Sequence, residues 1–320
     1  MSDIGYAWIQ NAVEAPDFLG KARARLAHVN RIERLDDGAV LVPHKLAPEP
    51  TLLQHALFAL KHEGVRLDLL VCALRRIPPA ELVAWVKATP NSIYGRKLGH
   101  LWEAWHQQRL PGLGEPGVAA AYAPLFDPDH YFVGPAQRDA RWRIECTGLG
   151  DLHVSPAVPR PPTLLALIGK ELLGEAHAFA ASVGEAMLER ALNWAYLSET
   201  EGSFAIEGEA PTGDRAALFA APLRRAHEQR PLTEDWLVEL QNAAISNPFD
   251  KAVQFRTEQN RLQRDVPGAA GVTYVPPEPE LAVALMNGLM RLTNQRPAEL
   301  DPLVHAAVVS FAFVFIHPFM

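Results

Sequence analysis

The 320-residue chain has only two cysteines, no excess of basic residues and no long apolar run. Two cysteines, Cys72 and Cys146, fit free thiols in a reducing compartment better than a disulfide framework. The formal net charge of −7 disfavours nucleic acid as a partner, because phosphate neutralisation supplies most of that affinity. The longest apolar run, 306–316, is shorter than the roughly 20 residues of a spanning helix. No secretory signal is visible, so we expect a cytoplasmic chain with no membrane partner.

Helical periodicity dominates the chain and predicts a mainly α protein. Short helices are expected over residues 1–110, for example after Thr51, which is a good N-cap. Residues 111–162 are rich in proline and glycine and predict a connecting segment with a short strand at 141–146. Residues 163–320 form the second predicted domain, with helices at 163–181, 184–198, 214–229, 233–246, 278–294 and 301–316.

The last predicted helix has strong boundary signals and carries a histidine at its end. Asp301 is expected as N-cap with Pro302 at the first helical position, and Pro318 stops the helix after His317. Because the helix is apolar on almost every face, we expect it at the centre of a bundle. His317 would then be held rigidly and could act as a general base toward a substrate hydroxyl. The alternative is a structural histidine that caps the carbonyls of the last turn.

A short β-type run occurs at Val272, Thr273, Tyr274 and Val275, before Pro276 and Pro277. Proline cannot donate a hydrogen bond to a ladder, so this run predicts an edge strand or a small hairpin. An edge strand can pair with an extended peptide. A proline-rich connector between two helices is the alternative.

Four motifs resemble elements of the Fic family, and along the chain they lie in the order that the family has. The FVFIHPF stretch, 313–319, resembles the start of the signature HPFx[DE]GNGRxxR. YVPP, 274–277, looks like the family's target-binding flap, and QFRTEQNRL, 254–262, looks like the FRxxQN element that precedes it. SETEGSFAIEGEAP resembles the inhibitory motif [ST]xxxE[GN], with Ser203, Glu207 and Gly208 on the motif positions.

The resemblance implies a Fic-like helical bundle with a short β-hairpin flap, preceded by a smaller, mostly helical N-terminal region. Its implied activity is transfer of AMP from ATP to a Ser, Thr or Tyr hydroxyl of a target protein, with Mg²⁺. By resemblance, His317 is the base, Pro318 and Phe319 position the loop, and residues 272–277 bind the target. Glu207 is the implied inhibitor, because its carboxylate would compete with a nucleotide phosphate for one arginine of the signature loop.

The metal-binding and phosphate-binding residues of the signature would follow Met320, so the sequence contains no expected metal ligand. We therefore expect residues 1–320 alone to be inactive. The sequence leaves the oligomeric state open, although an exposed apolar helix end would favour association into a homo-oligomer. Three alternatives remain: a non-catalytic, partner-binding relative of the family, a member that removes AMP, and an unrelated helical interaction protein.

Overall fold

The computed structural model describes residues 2–17, 19, 22–150, 154–206, 230–245, 251–264 and 268–319. The chain divides into two compact units, residues 1–159 and residues 160–320. The predicted connecting segment, 111–162, lies almost wholly inside the first unit. The reason is that Trp142 and Ile144, both fully buried, pack into the core of that unit.

The first unit begins with a small sheet that the sequence analysis did not predict. Strands β1 (Asp3–Ile4), β2 (Ala24–Ala27), β3 (Glu33–Arg34) and β4 (Val40–Pro43) pair in the order β1-β2-β4-β3, with β2 parallel to β4. These strands are two to four residues long, so their period-two pattern is too short to be distinguished from a helical one. Helix α1 (Gly5–Ala12) separates β1 from β2.

Four helices follow, in agreement with the short helices expected over residues 1–110: α2 (Leu52–His62), α3 (Leu67–Leu74), α4 (Pro79–Ala88) and α5 (Ile93–His106). Thr51 caps α2 as expected, since its hydroxyl accepts a hydrogen bond from the Gln54 N–H at 3.2 Å. A second sheet contains β5 (Ala123–Pro124), β6 (Gln137–Asp139) and β7 (Ile144–Cys146), in the order β5-β7-β6. The strand predicted at 141–146 therefore corresponds to β7.

Glycine on α5 brings this second sheet close to the helix. A Cβ atom at Gly99 would lie 2.1 Å from the Trp142 ring, so only glycine allows the indole to pack there. The Trp142 Nε1 donates to Glu103 of α5 at 2.8 Å. Glu103 in turn pairs with Arg141, with 2.9 Å between Nε and Oε2. The turn before β7 is thus fixed against α5.

The second unit is mainly helical, and the prediction of a mainly α protein with short strands is confirmed. Its helices are α6 (Pro162–Ile168), α7 (Leu172–Ser182), α8 (Glu185–Ile206), α9 (Glu234–Ala244), α10 (Pro279–Asn294) and α11 (Pro302–Ile316). Strands β8 (Leu262–Gln263) and β9 (Val272–Tyr274) form an antiparallel pair between α9 and α10. The helix predicted at 214–229 lies outside the described residues.

The core of this unit joins α9, α10 and the end of α11. Its buried members are Leu237, Phe255, Ala282, Met286, Leu289, Ile316 and Phe319. Helix α11 differs from its predicted position at the centre of a bundle. Phe311 is 74% exposed and Val314 67% exposed, because among the described residues α11 packs mainly on one side, against α10.

Across the described parts of the chain, no helix combines the length and apolar character that crossing a bilayer requires.

Candidate active site

His317 lies directly after α11, and the two ends of that helix explain its position. At the start, the Asp301 carboxylate accepts hydrogen bonds from the N–H groups of Leu303 (2.9 Å) and Val304 (3.1 Å). At the end, His317 takes the left-handed conformation, with φ 48° and ψ 66°, and its N–H donates to the Phe313 carbonyl at 2.9 Å. This conformation costs a residue other than glycine about 1 kcal/mol or more, so surrounding contacts must hold it.

Arg256 supplies most of those contacts. It is 3% exposed, and among the described residues its side chain donates only to backbone carbonyls. Its Nε donates to His317 O at 2.9 Å, and its backbone N–H donates to Pro318 O at 2.8 Å. The Arg256 guanidinium also donates to Pro277 O, to Glu258 O at 3.2 Å and to Ile316 O at 3.4 Å.

The charge of Arg256 suits this place. The carbonyls at the C-terminus of α11 carry partial negative charge, which a guanidinium stabilises. Burial lowers the pKa of Arg256, and the nearby Tyr274 opposes that effect. An arginine remains cationic even when its pKa falls somewhat, because its ordinary value is so high. Arg256 therefore fixes the backbone on both sides of the His317 ring.

Asn260 contacts the imidazole of His317. Its Nδ2 lies 3.1 Å from His317 Nδ1 and donates to Phe319 O at 3.0 Å. Phe319 O is also 3.1 Å from His317 Nδ1. Asn260 Oδ1 is buried and has no hydrogen-bond partner among the described residues.

The tautomer of His317 decides which nitrogen can accept a proton. When Nδ1 carries the hydrogen, it donates to Phe319 O, and the lone pair of Nε2 is left to act as a base. When Asn260 donates to Nδ1 instead, Nε2 carries the hydrogen and cannot accept another. The Phe319 carbonyl and the Asn260 amide therefore compete to set the state of the ring.

Phe319 also anchors this loop by packing. It is 6% exposed, and its ring lies 5.7 Å from that of Phe255 and 6.4 Å from that of Phe313, measured between centroids. Pro318 is buried beside it. The two residues that were expected to position the loop thus lie at the edge of the core, and their carbonyls accept hydrogen bonds from Asn260 and Arg256.

A hairpin lies next to the end of α11, where the sequence predicted an edge strand or hairpin. Leu262 pairs with Tyr274, and Gln263 pairs with Val272, with a bulge between the two pairs. The Thr273 hydroxyl donates to Leu262 O at 3.2 Å. In the part of the chain that is described, β9 pairs with β8 alone, so its other edge presents unpaired backbone groups.

One contact joins the hairpin directly to α11, and two more join the prolines after β9 to the 254–262 segment that holds the His317 loop. The Tyr274 hydroxyl donates to Phe315 O in the last turn of α11. Gln259 Nε2 donates to Pro276 O at 3.0 Å, and Arg256 donates to Pro277 O. Burial raises the pKa of Tyr274, although the positive charge of Arg256 partly offsets this, so the phenol stays protonated and can donate. Val275, the next residue after β9, is 60% exposed.

The structure brings three of the four sequence motifs together. Residues 254–262, 272–277 and 317–319 come together, with Arg256 and Asn260 as the connecting residues. Sequence reasoning identified the FRTEQN stretch as a motif but assigned no role to either side chain. Of the expected inhibitory residues, Ser203 belongs to α8 but its side chain is not described, and Glu207 and Gly208 lie outside the described residues. Their role stays a prediction.

No group of three or more His, Cys, Asp or Glu side chains within the described residues is arranged to hold a metal ion. The described side chains around His317 are instead an arginine, an asparagine, a tyrosine and apolar residues. They are suited to orient an imidazole and the adjacent strand.

Comparison with known proteins gives a match to a family model that covers the site around His317. A search among curated proteins matched none. The family model described as Fic/DOC family matches residues 231–320, which include α9, the β8–β9 hairpin, α10, α11 and His317. By this match the C-terminal part of the chain, residues 231–320, belongs to the Fic/DOC family.

Proposed function

We propose that the Fic domain represented by residues 231–320 transfers AMP from ATP to a Ser, Thr or Tyr hydroxyl of a target protein. The observation that carries the proposal is the placement of His317. Its ring Nδ1 lies 3.1 Å from the Phe319 carbonyl, and the hairpin with an unpaired strand edge is joined to the same loop. A base and a strand edge that can align a peptide are what a hydroxyl-modifying enzyme needs.

In this mechanism the Phe319 carbonyl accepts the Nδ1–H of His317, so that Nε2 takes the proton of the target hydroxyl. The hydroxyl oxygen bonds to the α-phosphorus, and the bond from that phosphorus to pyrophosphate breaks. Arg256 fixes the backbone that carries the ring, because it donates hydrogen bonds to the carbonyls of His317 and Ile316. Strand β9 would add the target segment as a neighbouring strand and so fix the hydroxyl near the ring.

The described residues do not by themselves fit a Mg²⁺ site. Our proposal is that the [DE]GNGRxxR part of the family signature supplies the ligands for Mg²⁺ and the ATP phosphates, as the resemblance implies. The two free thiols suit a reducing, cytoplasmic environment in which ATP is present.

The position of the transferred label tests the reaction type. A polypeptide that includes residues 1–320 and the whole HPFx[DE]GNGRxxR signature would be incubated with Mg²⁺ and ATP labelled at either the α- or the γ-phosphate. The proposal expects label on protein only from α-labelled ATP. Label from γ-labelled ATP would show phosphoryl transfer, and release of AMP from a modified target with no incorporation would show the reverse reaction. Either result would contradict the proposal.

We also propose that Glu207 inhibits the domain. The support is the position of Ser203, Glu207 and Gly208 in the [ST]xxxE[GN] pattern. Glu207→Gly should raise incorporation of α-label into the protein itself, because the carboxylate no longer competes with a phosphate for arginine. Glu209→Gly, two residues away, is the matched control and should leave incorporation unchanged. Equal activity of the two variants would count against inhibition by Glu207, without touching the assignment of His317.

A further inference from the structure

A second cluster of reactive side chains lies in the first unit, on the face of the β5-β7-β6 sheet that contacts α5. Side chains alternate between the two faces of a strand, so Ile144 and Cys146 of β7 point to one face and Glu145 to the other. Glu145 pairs with Arg138 at 3.0 Å, whereas Ile144 is fully buried in the core. Cys146 is therefore directed toward α5, and His100 lies opposite it on that helix.

Three groups are hydrogen-bonded there in a row. Cys146 Sγ lies 3.0 Å from His100 Nε2, and His100 Nδ1 lies 2.7 Å from Asp139 Oδ2. The other carboxylate oxygen of Asp139 accepts the N–H groups of Arg141 (2.9 Å) and Trp142 (3.2 Å), so the carboxylate is held in place. His100 is 6% exposed, while Cys146 is half-buried and so within reach of a small molecule.

In this hydrogen-bonded row, the shared proton lies on the His100 imidazole. Burial lowers the pKa of His100, but the hydrogen bonds to Asp139 and Cys146 outweigh it and raise that pKa to about 9. For Asp139, burial raises the pKa, and the hydrogen bonds from His100 and the Trp142 N–H lower it further than burial raises it. At neutral pH, His100 thus carries hydrogen on both nitrogens. It donates one to the Asp139 carboxylate and the other to the Cys146 sulfur, which accepts it.

The other charged groups on these elements have partners of their own. Arg96 donates to backbone carbonyls of residues 121 and 143, and Lys97 donates to the carbonyl of residue 125. The remaining pairs are Glu103 with Arg141, Arg138 with Glu145, and Arg143 with the Tyr122 ring. None of these contacts involves Cys146 or His100, so Asp139 is the charged partner that the structure gives to His100.

The row also differs from a metal site. Its three groups bind one another, and the part of the chain that is described contains no arrangement of three such side chains around a common point. A cysteine sulfur that accepts a hydrogen bond from an imidazolium, with the imidazole oriented by a carboxylate, is instead the arrangement of a reactive cysteine.

We propose that Cys146, hydrogen-bonded to His100 and oriented through it by Asp139, is a reactive thiol site that takes small disulfides and similar soft electrophiles. The Cys146 sulfur attacks one sulfur of the disulfide, and a new S–S bond forms. The original S–S bond breaks, and the departing thiolate takes the proton from His100. The product is a mixed disulfide at Cys146 and one free thiol, so no further oxidant is required.

Cys72 provides an internal control. It lies on α3, is half-buried like Cys146, and packs against the apolar core of the same unit. Among the described residues, no titratable side chain hydrogen-bonds to it. The two cysteines fall on different tryptic peptides, since Arg75 and Arg143 lie between them. Their reaction rates can therefore be measured in one sample.

The test is alkylation of the reduced full chain with iodoacetamide, followed by peptide mass spectrometry. At about pH 6 an ordinary thiol is almost wholly protonated, so Cys146 should react at least about tenfold faster than Cys72. The excess of the Cys146 rate over the Cys72 rate should shrink as pH rises toward the range in which an ordinary thiol ionises. Equal rates with the same pH profile would overturn the proposal.

Variants separate the ion pair from mere exposure. His100→Gln and Asp139→Asn should each reduce the Cys146 rate at low pH toward the Cys72 rate. His106→Gln, on the same helix, is the matched control, because His106 contacts Trp102 rather than either cysteine. If a variant unfolds, the Cys72 rate rises too, and the pH profile of the unaltered chain then decides.

Oxidised glutathione tests the class of electrophile. One glutathionyl group should appear on the Cys146 peptide, and a reducing agent should remove it. Modification of Cys72 instead, or of neither cysteine, would refute the site.

Discussion

Replacing Arg256 should destabilise the second unit far more than replacing an exposed neighbouring residue would. The guanidinium makes two close hydrogen bonds, to His317 O at 2.9 Å and to Pro277 O, and two longer ones. Hydrogen bonds from a charged group contribute about 1.5 to 3 kcal/mol each, so losing the two close ones costs roughly 3 to 6 kcal/mol. This is a large part of the about 5 to 15 kcal/mol by which a domain is stable.

Hydrogen–deuterium exchange can localise the effect. In Arg256→Ala, amides of α11 and β9 should exchange about a hundredfold faster or more, since about 2.7 kcal/mol corresponds to that factor. Amides of α5 serve as the internal reference, because that helix belongs to the other unit. Arg256→Lys keeps the charge but not the planar fork and should give an intermediate effect.

Arg261→Ala is the matched control. Arg261 is exposed, lies next to the same hairpin, and hydrogen-bonds to Gln263 at 3.2 Å. Its removal should change stability by no more than about 0.5 kcal/mol. If the two alanine variants exchanged alike, Arg256 would not hold the His317 loop, and the reasoning about this site would be wrong.

Two further predictions concern stability. Burial raises the pKa of Glu63 from 4.5 to about 7, although the hydrogen bond from the Tyr6 N–H and the nearby arginines lower it in part. The folded first unit therefore binds this proton more tightly than the unfolded chain does. Its stability should therefore fall as pH rises from about 4.5 to 7, by about 2 to 3 kcal/mol, and Glu63→Gln should remove that slope in urea titrations. Met286→Ala should lower the melting temperature of the second unit, because Met286 is 0% exposed and its truncation costs about 2 to 5 kcal/mol. Leu281→Ala on the same helix is the control, since Leu281 is 52% exposed.

Local signals made much of the fold predictable. Thr51, Asp301 and Pro302 mark helix starts within a few neighbouring residues, and the structure places α2 and α11 directly after them. The β1–β4 sheet was missed because its strands are short and because β2 pairs with β4 across an intervening strand. Such a pairing depends on contacts between distant residues, which local periodicity does not contain.

The candidate site was likewise predictable only where local sequence signals mark a residue. His317 could be singled out because a helix stop and a proline surround it, whereas Arg256 acts on residues about 60 positions away. Asn260 and His317 are 57 positions apart, and Cys146 and His100 are 46 apart. A composition or spacing rule cannot pair such residues, since only the packing of segment 251–264 against the end of α11, or of the sheet on α5, brings them within 3.1 Å.

The central claim is that His317 is the base of AMP transfer, and a comparison of His317, at the end of α11, with His305, inside that helix, tests it most directly. His317→Ala and His305→Ala would be prepared in a polypeptide with the whole signature, and incorporation of α-labelled AMP would be measured. His305 faces Leu292 O at 3.3 Å, away from the hairpin contacts, so its replacement controls for general damage to α11. A loss of at least about a hundredfold is expected for His317→Ala only, in line with the usual effect of a general base. Activity retained in His317→Ala, or lost equally in both variants, would contradict it.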